Sequence, residues 1–180
     1  MKKKLTLALA VTALALGGSA TAAASTSNGT PQAANQNNIP DEIKVPAGNK
    51  RIAVLKAVGV QIYTCTNGAF TFKQPAANLT DRHGRSKVIH NGGPTWTDLS
   101  DGSSVVGAVD KAVPDPKQKA IPQLLLHAAS NSGGLDSDLG GVTFIQRLNT
   151  RGGLAPTGSC TEGAQLGVRY SADYTFWVKQ

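Results

Sequence analysis

From about residue 39 onward, apolar and polar side chains exchange places at every second position within short runs. Clusters of Gly, Pro, Asn and Asp separate the runs. A period of two marks a strand with one buried face, and many such runs at close spacing predict an all-β fold, an antiparallel β-sandwich or flattened barrel. The most regular run is the last. Tyr170, Ala172, Tyr174, Phe176 and Val178 point one way, and Ser171, Asp173, Thr175 and Trp177 the other. Val142 to Leu148 alternates as cleanly, and Ser103 to Asp110 reads as a further strand before the loop Pro114-Asp115-Pro116.

The turns set the pairing. Val60 to Thr66 meets Ala69 to Lys73 across Asn67-Gly68, a dipeptide suited to the positive φ angles of a two-residue hairpin turn. That register sets Cys65 opposite Phe70 and Tyr63 opposite Phe72, all four on one predicted core face. A turn over Asp81-Arg82-His83-Gly84 joins Ala77–Thr80 to Ser86–Asn91. A tight turn at Gly92-Gly93 would place Ile89 across from Trp96, with His90 on the opposite face beside Thr95. Residues 121–129 read either as a strand or as a short helix with Pro122 in its first turn and Gly133 as its stop. The neighbouring strands favour a strand.

The N-terminus has a different texture. Three lysines, an apolar run from Leu5 to Leu16 and small residues through Ala24 form the three parts of a secretory signal peptide, with cleavage expected after Ala24. The apolar run is too short for a spanning helix of about 20 residues. No cysteine near the cut suggests lipid anchoring. Residues 25–38 are Ser, Thr, Asn, Gln and Ala without apolar periodicity, the composition of a disordered linker. Residues 39–180 then form one β-rich domain, exported to the periplasm or the medium.

Cleavage removes three of the 18 Lys and Arg and none of the 11 acids, so the net charge of +7 becomes 15 − 11 = +4. A modest surplus favours weak contact with anionic surfaces. Without a basic run interleaved with aromatics it argues against a dedicated nucleic-acid site. Cys65 and Cys160 are the only cysteines. In an oxidising compartment an even count predicts a disulfide, here from an early strand to a late loop. The alternative, a pair of metal thiolates, lacks a Cys or His at ligand spacing beside either residue.

Several segments together carry a resemblance. Gly59-Val60-Gln61-Ile62-Tyr63-Thr64-Cys65, Gly92-Gly93-Pro94-Thr95-Trp96, Ile121-Pro122 with Leu124-Leu125-Leu126, Val142 to Thr150, Gly152-Gly153, Cys160 and Tyr170 to Tyr174 are similar to the secreted family filed as domain of unknown function 3455, found in bacteria and fungi. The resemblance implies a secreted single domain with paired cysteines, and a strand over residues 121–129. It implies no activity, cofactor or catalytic residue. Gln123 stands where an aromatic is expected after Ile-Pro.

The residues that carry chemistry form no catalytic motif: there is no G-x-S-x-G, H-E-x-x-H or P-loop. Of His83, His90 and His127, His90 is the one candidate for acid/base work, with Asp81, Asp98 or Asp101 as partner. Asp136 and Asp138 resemble half of a calcium loop without its glutamate. No metal and no cofactor is expected. Gln146, Arg147, Asn149 and Thr150 concentrate polar groups at a strand end, and Trp96 and Trp177 offer stacking surfaces. Gln146, Arg147, Asn149 and Trp96 are the expected ligand-binding residues. Two plainer readings compete: Arg147 pairs with Asp173 or another acid, and Asn149-Thr150 makes the turn before Gly152-Gly153. The expectation is a non-catalytic envelope or extracellular binding protein for a polar ligand such as a cell-wall or extracellular glycan. The alternative is a secreted hydrolase or metal-dependent enzyme centred on His90.

Overall fold

The structure, a computed structural model, describes residues 38–180. The expected signal peptide and all but the last residue of the expected linker lie outside the described residues. Eight strands follow one another: β1 Asn49–Thr66, β2 Ala69–Thr80, β3 Ser86–Asn91, β4 Thr95–Asp98, β5 Ser104–Val113, β6 Gln123–Ser132, β7 Val142–Gly152 and β8 Gln165–Lys179. Each pairs antiparallel with its sequence neighbour, and β8 returns to pair with β1, so the sheet closes into a barrel. Closure leaves no sheet edge open. The all-β expectation holds, as a barrel. The ambiguous segment 121–129 lies largely in β6. A 3-10 turn at Asp41–Ile43 precedes the barrel, and no helix among the described residues is long and apolar enough to cross a membrane.

The hairpin of β1 and β2 forms as the sequence dictates. Asn67 and Gly68 take φ of 53° and 75°, and the register pairs Cys65 with Phe70 and Tyr63 with Phe72. Tyr63 and Cys65 are buried, but Phe72 is 56% exposed. It sits on the barrel rim, where the ladder shifts register between Ile62 and Tyr63 near Pro75, a residue with no N–H to donate.

The hairpin of β3 and β4 departs from expectation. Asn91 pairs with Thr95 and His90 with Trp96, so the loop is Gly92-Gly93-Pro94 rather than Gly92-Gly93 alone. Pro94 cannot donate to the ladder and is taken into the turn. The one-residue slip changes faces, as it must in a period-two structure. His90 and Trp96 become inward neighbours, and Ile89 pairs with Thr97.

Inside the barrel, Leu55, Leu79, Val88, Trp96, Leu126, Ile145, Tyr174 and Phe176 form the core. A second, smaller core lies outside it. Ile43 and Val45 of the segment before β1 pack with Leu125 and Trp177 on the barrel's outer face, flanked by Val113, Phe144 and Leu148. Gln146 is sealed there: its Nε2 donates to the Ile43 carbonyl at 2.6 Å and its Oε1 accepts from Trp177 Nε1 at 3.0 Å. Trp177 therefore points away from the interior, as alternation predicts, but is buried rather than offered to a ligand.

The meander gathers the β1–β2, β3–β4, β5–β6 and β7–β8 connections at one end and the other three at the opposite end. Cys65 and Cys160 are joined, with Cα atoms 5.8 Å apart, pinning β1 to the β7–β8 connection at the first end. The same connection is hydrogen-bonded to β1, through Cys65 N–H to Ala164 O and Gly163 N–H to Cys65 O.

Candidate functional site

At the disulfide-bearing end the interior is not filled. A cavity of about 450 Å3 is lined by residues of all eight strands and of the β3–β4 and β5–β6 connections. Its size lies within the range of small-molecule sites. Trp96, Ile121, Leu124 and Leu126 give it apolar walls. Phe72 and Val109, both more than half exposed, form an apolar rim beside Lys73.

The polar groups facing this space are few. His90 is 2% exposed and stacks on Trp96, ring centroids 4.3 Å apart and nearly parallel. Its Nδ1 lies 2.9 Å from the Thr95 carbonyl. A carbonyl only accepts, so Nδ1 carries the hydrogen and Nε2 keeps a bare lone pair. Burial pushes the imidazole pKa down to about 4, with the Thr95 hydrogen bond opposing and the positive charge of Arg147 adding to the fall. His90 is thus neutral at pH 7. The Tyr63 hydroxyl donates to Gly153 O at 2.5 Å, and burial raises its pKa.

Two further groups lack partners. Gln61 Nε2 and Trp96 Nε1 are buried with no hydrogen bond, although their side chains line the cavity. Buried donors without partners are uncommon and each is costly. Arg147 stands among them. Its Nε donates to Pro122 O at 3.0 Å, which fixes the plane of the guanidinium. All eleven acidic residues of the chain lie among the described residues, and none forms an ion pair with it. Its charge is felt across the site, opposing the upward pKa shifts of Tyr63, Tyr170 and Tyr174 that burial causes.

The structure brings together three of the residues singled out by sequence: Trp96, Arg147 and His90. It leaves Gln146 in the outer core. Asn149 is exposed at a break in the β7–β8 ladder, with φ of 51°, donating through Nδ2 to Asp173 at 2.8 Å. Asp173, the carboxylate considered as a partner for Arg147, pairs with Leu148 on the outer face, while Arg147 pairs with inward Tyr174. Gln61, Tyr63 and Tyr174 were not read as site residues. Gln61 was legible in principle: it shares a strand face with Tyr63 and Cys65, so it is a polar side chain on a core face.

No carboxylate bonds to His90. Asp81 is held by Arg85 and the His83 amide, 2.8 Å each. Asp98 accepts from Ser100, and Asp101 from Ser103 and the Asp138 amide. Asp98, Asp101 and Asp138 do converge, with oxygens within 4.8 Å of one another, but at the opposite end of the barrel. There their hydrogen bonds clasp the β4–β5 and β6–β7 connections together. His127 pairs with Asp110 on the outside at 2.6 Å, and His83 accepts from Arg82 on an exposed turn. The His90–Asp constellation that general acid/base chemistry requires is not assembled.

His90 gives a pH signature. The folded protein refuses the proton down to about pH 4, whereas an unfolded histidine takes it up near pH 6.5. Between those values the unfolded chain binds more protons, so stability falls as pH falls, by roughly 3 kcal/mol across the window. Urea midpoints at pH 7.5, 6 and 4.5 should drop in sequence for the native protein and stay nearly level for His90→Gln. Equal slopes for the two proteins would show that His90 titrates normally.

Compared with known proteins, residues 46–178 match the family model described as "Protein of unknown function (DUF3455)". No curated protein and no solved structure matches the chain.

Proposed function

This chain belongs to the DUF3455 family, and we propose that it is an exported, non-catalytic binding protein that holds a small molecule inside its barrel. The family match spans all eight strands but for the last residue of β8. Export is supported by the N-terminal pattern and by the disulfide, which persists in oxidising compartments. The observation that carries the binding reading is a mostly apolar cavity faced by unpartnered donors. A ligand would satisfy groups that the protein leaves unsatisfied, and convergent polar groups in an apolar pocket are the usual form of a small-molecule site.

A glycan read on an outer sheet face is less well supported. Gln146 and Asn149 already have protein partners, and Trp177 is buried under the segment before β1. The hydrolase reading is weaker still, because His90 has no acid to orient it.

The test is entry of a neutral apolar fluorophore. N-phenyl-1-naphthylamine should bind the oxidised protein with one saturable site and rise in emission. Leu124→Trp, which fills the cavity from its wall, should abolish the rise while leaving the fold intact by circular dichroism. Absence of saturable binding to the native protein would reject an internal ligand site.

A further inference from the structure

We propose that the cavity takes an aliphatic monocarboxylate, its carboxylate paired with the Arg147 guanidinium and its chain laid against Trp96, Leu124 and Leu126. This inference rests on the internal-ligand reading above and names the ligand class.

Arg147 is the centre of the argument. It lines the cavity and is half-buried, and a cation drawn partly out of water beside apolar walls is stabilised when a negative charge answers it. None of the protein's own carboxylates does so, although all are among the described residues. The guanidinium meets the Tyr174 hydroxyl, and its Nε is engaged by the Pro122 carbonyl. That bond orients the planar fork and leaves its outer edge for a carboxylate, whose two oxygens match two parallel N–H donors. The Tyr174 hydroxyl, 1% exposed, lines the same space beside the guanidinium, and its residue pairs in register with Arg147. It supplies a further donor.

Charge decides the number of negative groups. His90 is neutral at pH 7, so the interior offers one full positive charge. A singly charged head balances it. A dianionic head would need the rim Lys73 as well as Arg147. The body of the ligand is set by the walls, which offer hydrocarbon and an indole face, and by the rim of Phe72 and Val109, which lets an apolar chain approach without crossing a polar barrier. Lys73 at the rim favours arrival of an anion.

The experiment is calorimetric titration of the full chain, purified oxidised, with decanoate, decanol and decyltrimethylammonium. Decanoate should bind roughly tenfold or more tighter than decanol, as a charge-assisted bidentate pair provides. Arg147→Gln should bring decanoate to the level of decanol, with circular dichroism and the urea midpoint showing that the variant folds. Arg147→Lys should recover part of the preference. Equal affinity for decanoate and decanol, or a preference for the cation, would overturn the carboxylate assignment while the internal site survives. Loss of all three ligands together with the neutral fluorophore would remove both readings.

Discussion

Replacing Cys65 and Cys160 together by serine will lower the stability of the barrel by about 4–5 kcal/mol, the value that chain entropy gives for a loop of this length. The two residues are 95 positions apart, so the bridge closes a loop that holds most of the strands. In the unfolded chain it removes a large share of the available conformations. In the folded chain it adds little that is not already there, because β1 and the β7–β8 connection are also joined by backbone hydrogen bonds at Cys65. The serine variant should therefore fold to the same barrel and unfold earlier. For a domain of this size the loss corresponds to a fall in Tm of about 15 °C, and the native protein in reductant should fall by a similar amount. A shift under about 2 °C in both experiments would show that the bridge does not constrain the unfolded state. The effect on binding should be smaller than the effect on stability, since neither half-cystine lines the cavity.

Trp96→Ala will cost about 3–5 kcal/mol, the range for removing a fully buried large aromatic. Trp96 is 1% exposed and touches three rings: His90 face to face, with Tyr174 and Phe176 edge-on at centroid distances of 5.5 and 6.3 Å. The barrel has shaped itself around this side chain. A Cβ on Gly107 would lie 2.9 Å from Trp96 Cζ3, so the facing strand has no side chain at that point. Alanine leaves a void that such a closed sheet cannot collapse to fill. Trp96→Phe should cost well under half as much. It keeps most of the ring and removes an indole N–H that has no partner. Urea unfolding of both variants at pH 7.5 measures the difference. Equal losses would mean that neither the retained ring nor the removal of the unpaired N–H recovers any stability. A loss below about 1 kcal/mol for Trp96→Ala would show that the site repacks freely.

The two effects come from opposite ends of the folding equilibrium, one from the unfolded ensemble and one from the packed interior. Both protect the same end of the molecule. The bridge holds the β7–β8 connection whose Gly153 carbonyl accepts from Tyr63, and the indole lines the same cavity as Arg147. A cavity with unanswered donors and a charged group is a locally expensive structure, and it sits where covalent and aromatic stabilisation are concentrated.

Sequence alone determined the local rules. Alternation of period two specified strands, Asn67-Gly68 specified a turn and its register, and parity separated Tyr174 and Phe176 from Trp177. Two cysteines behind a secretory pattern specified a bridge. These features are readable because each depends on a few adjacent residues. Tertiary structure decided the rest. Whether Trp177 would be wet depended on Ile43, more than a hundred positions earlier, covering the outer face. Whether Arg147 would find an acid depended on faces: Arg147 pairs with inward Tyr174, whereas Asp173 pairs with Leu148 on the outer side. The β3–β4 slip turned on Pro94, which entered the loop and rotated His90 and Trp96 inward. The cavity exists because eight strands close on themselves, and closure depends on β8 finding β1 across the whole length of the chain, a long-range pairing that no local pattern encodes.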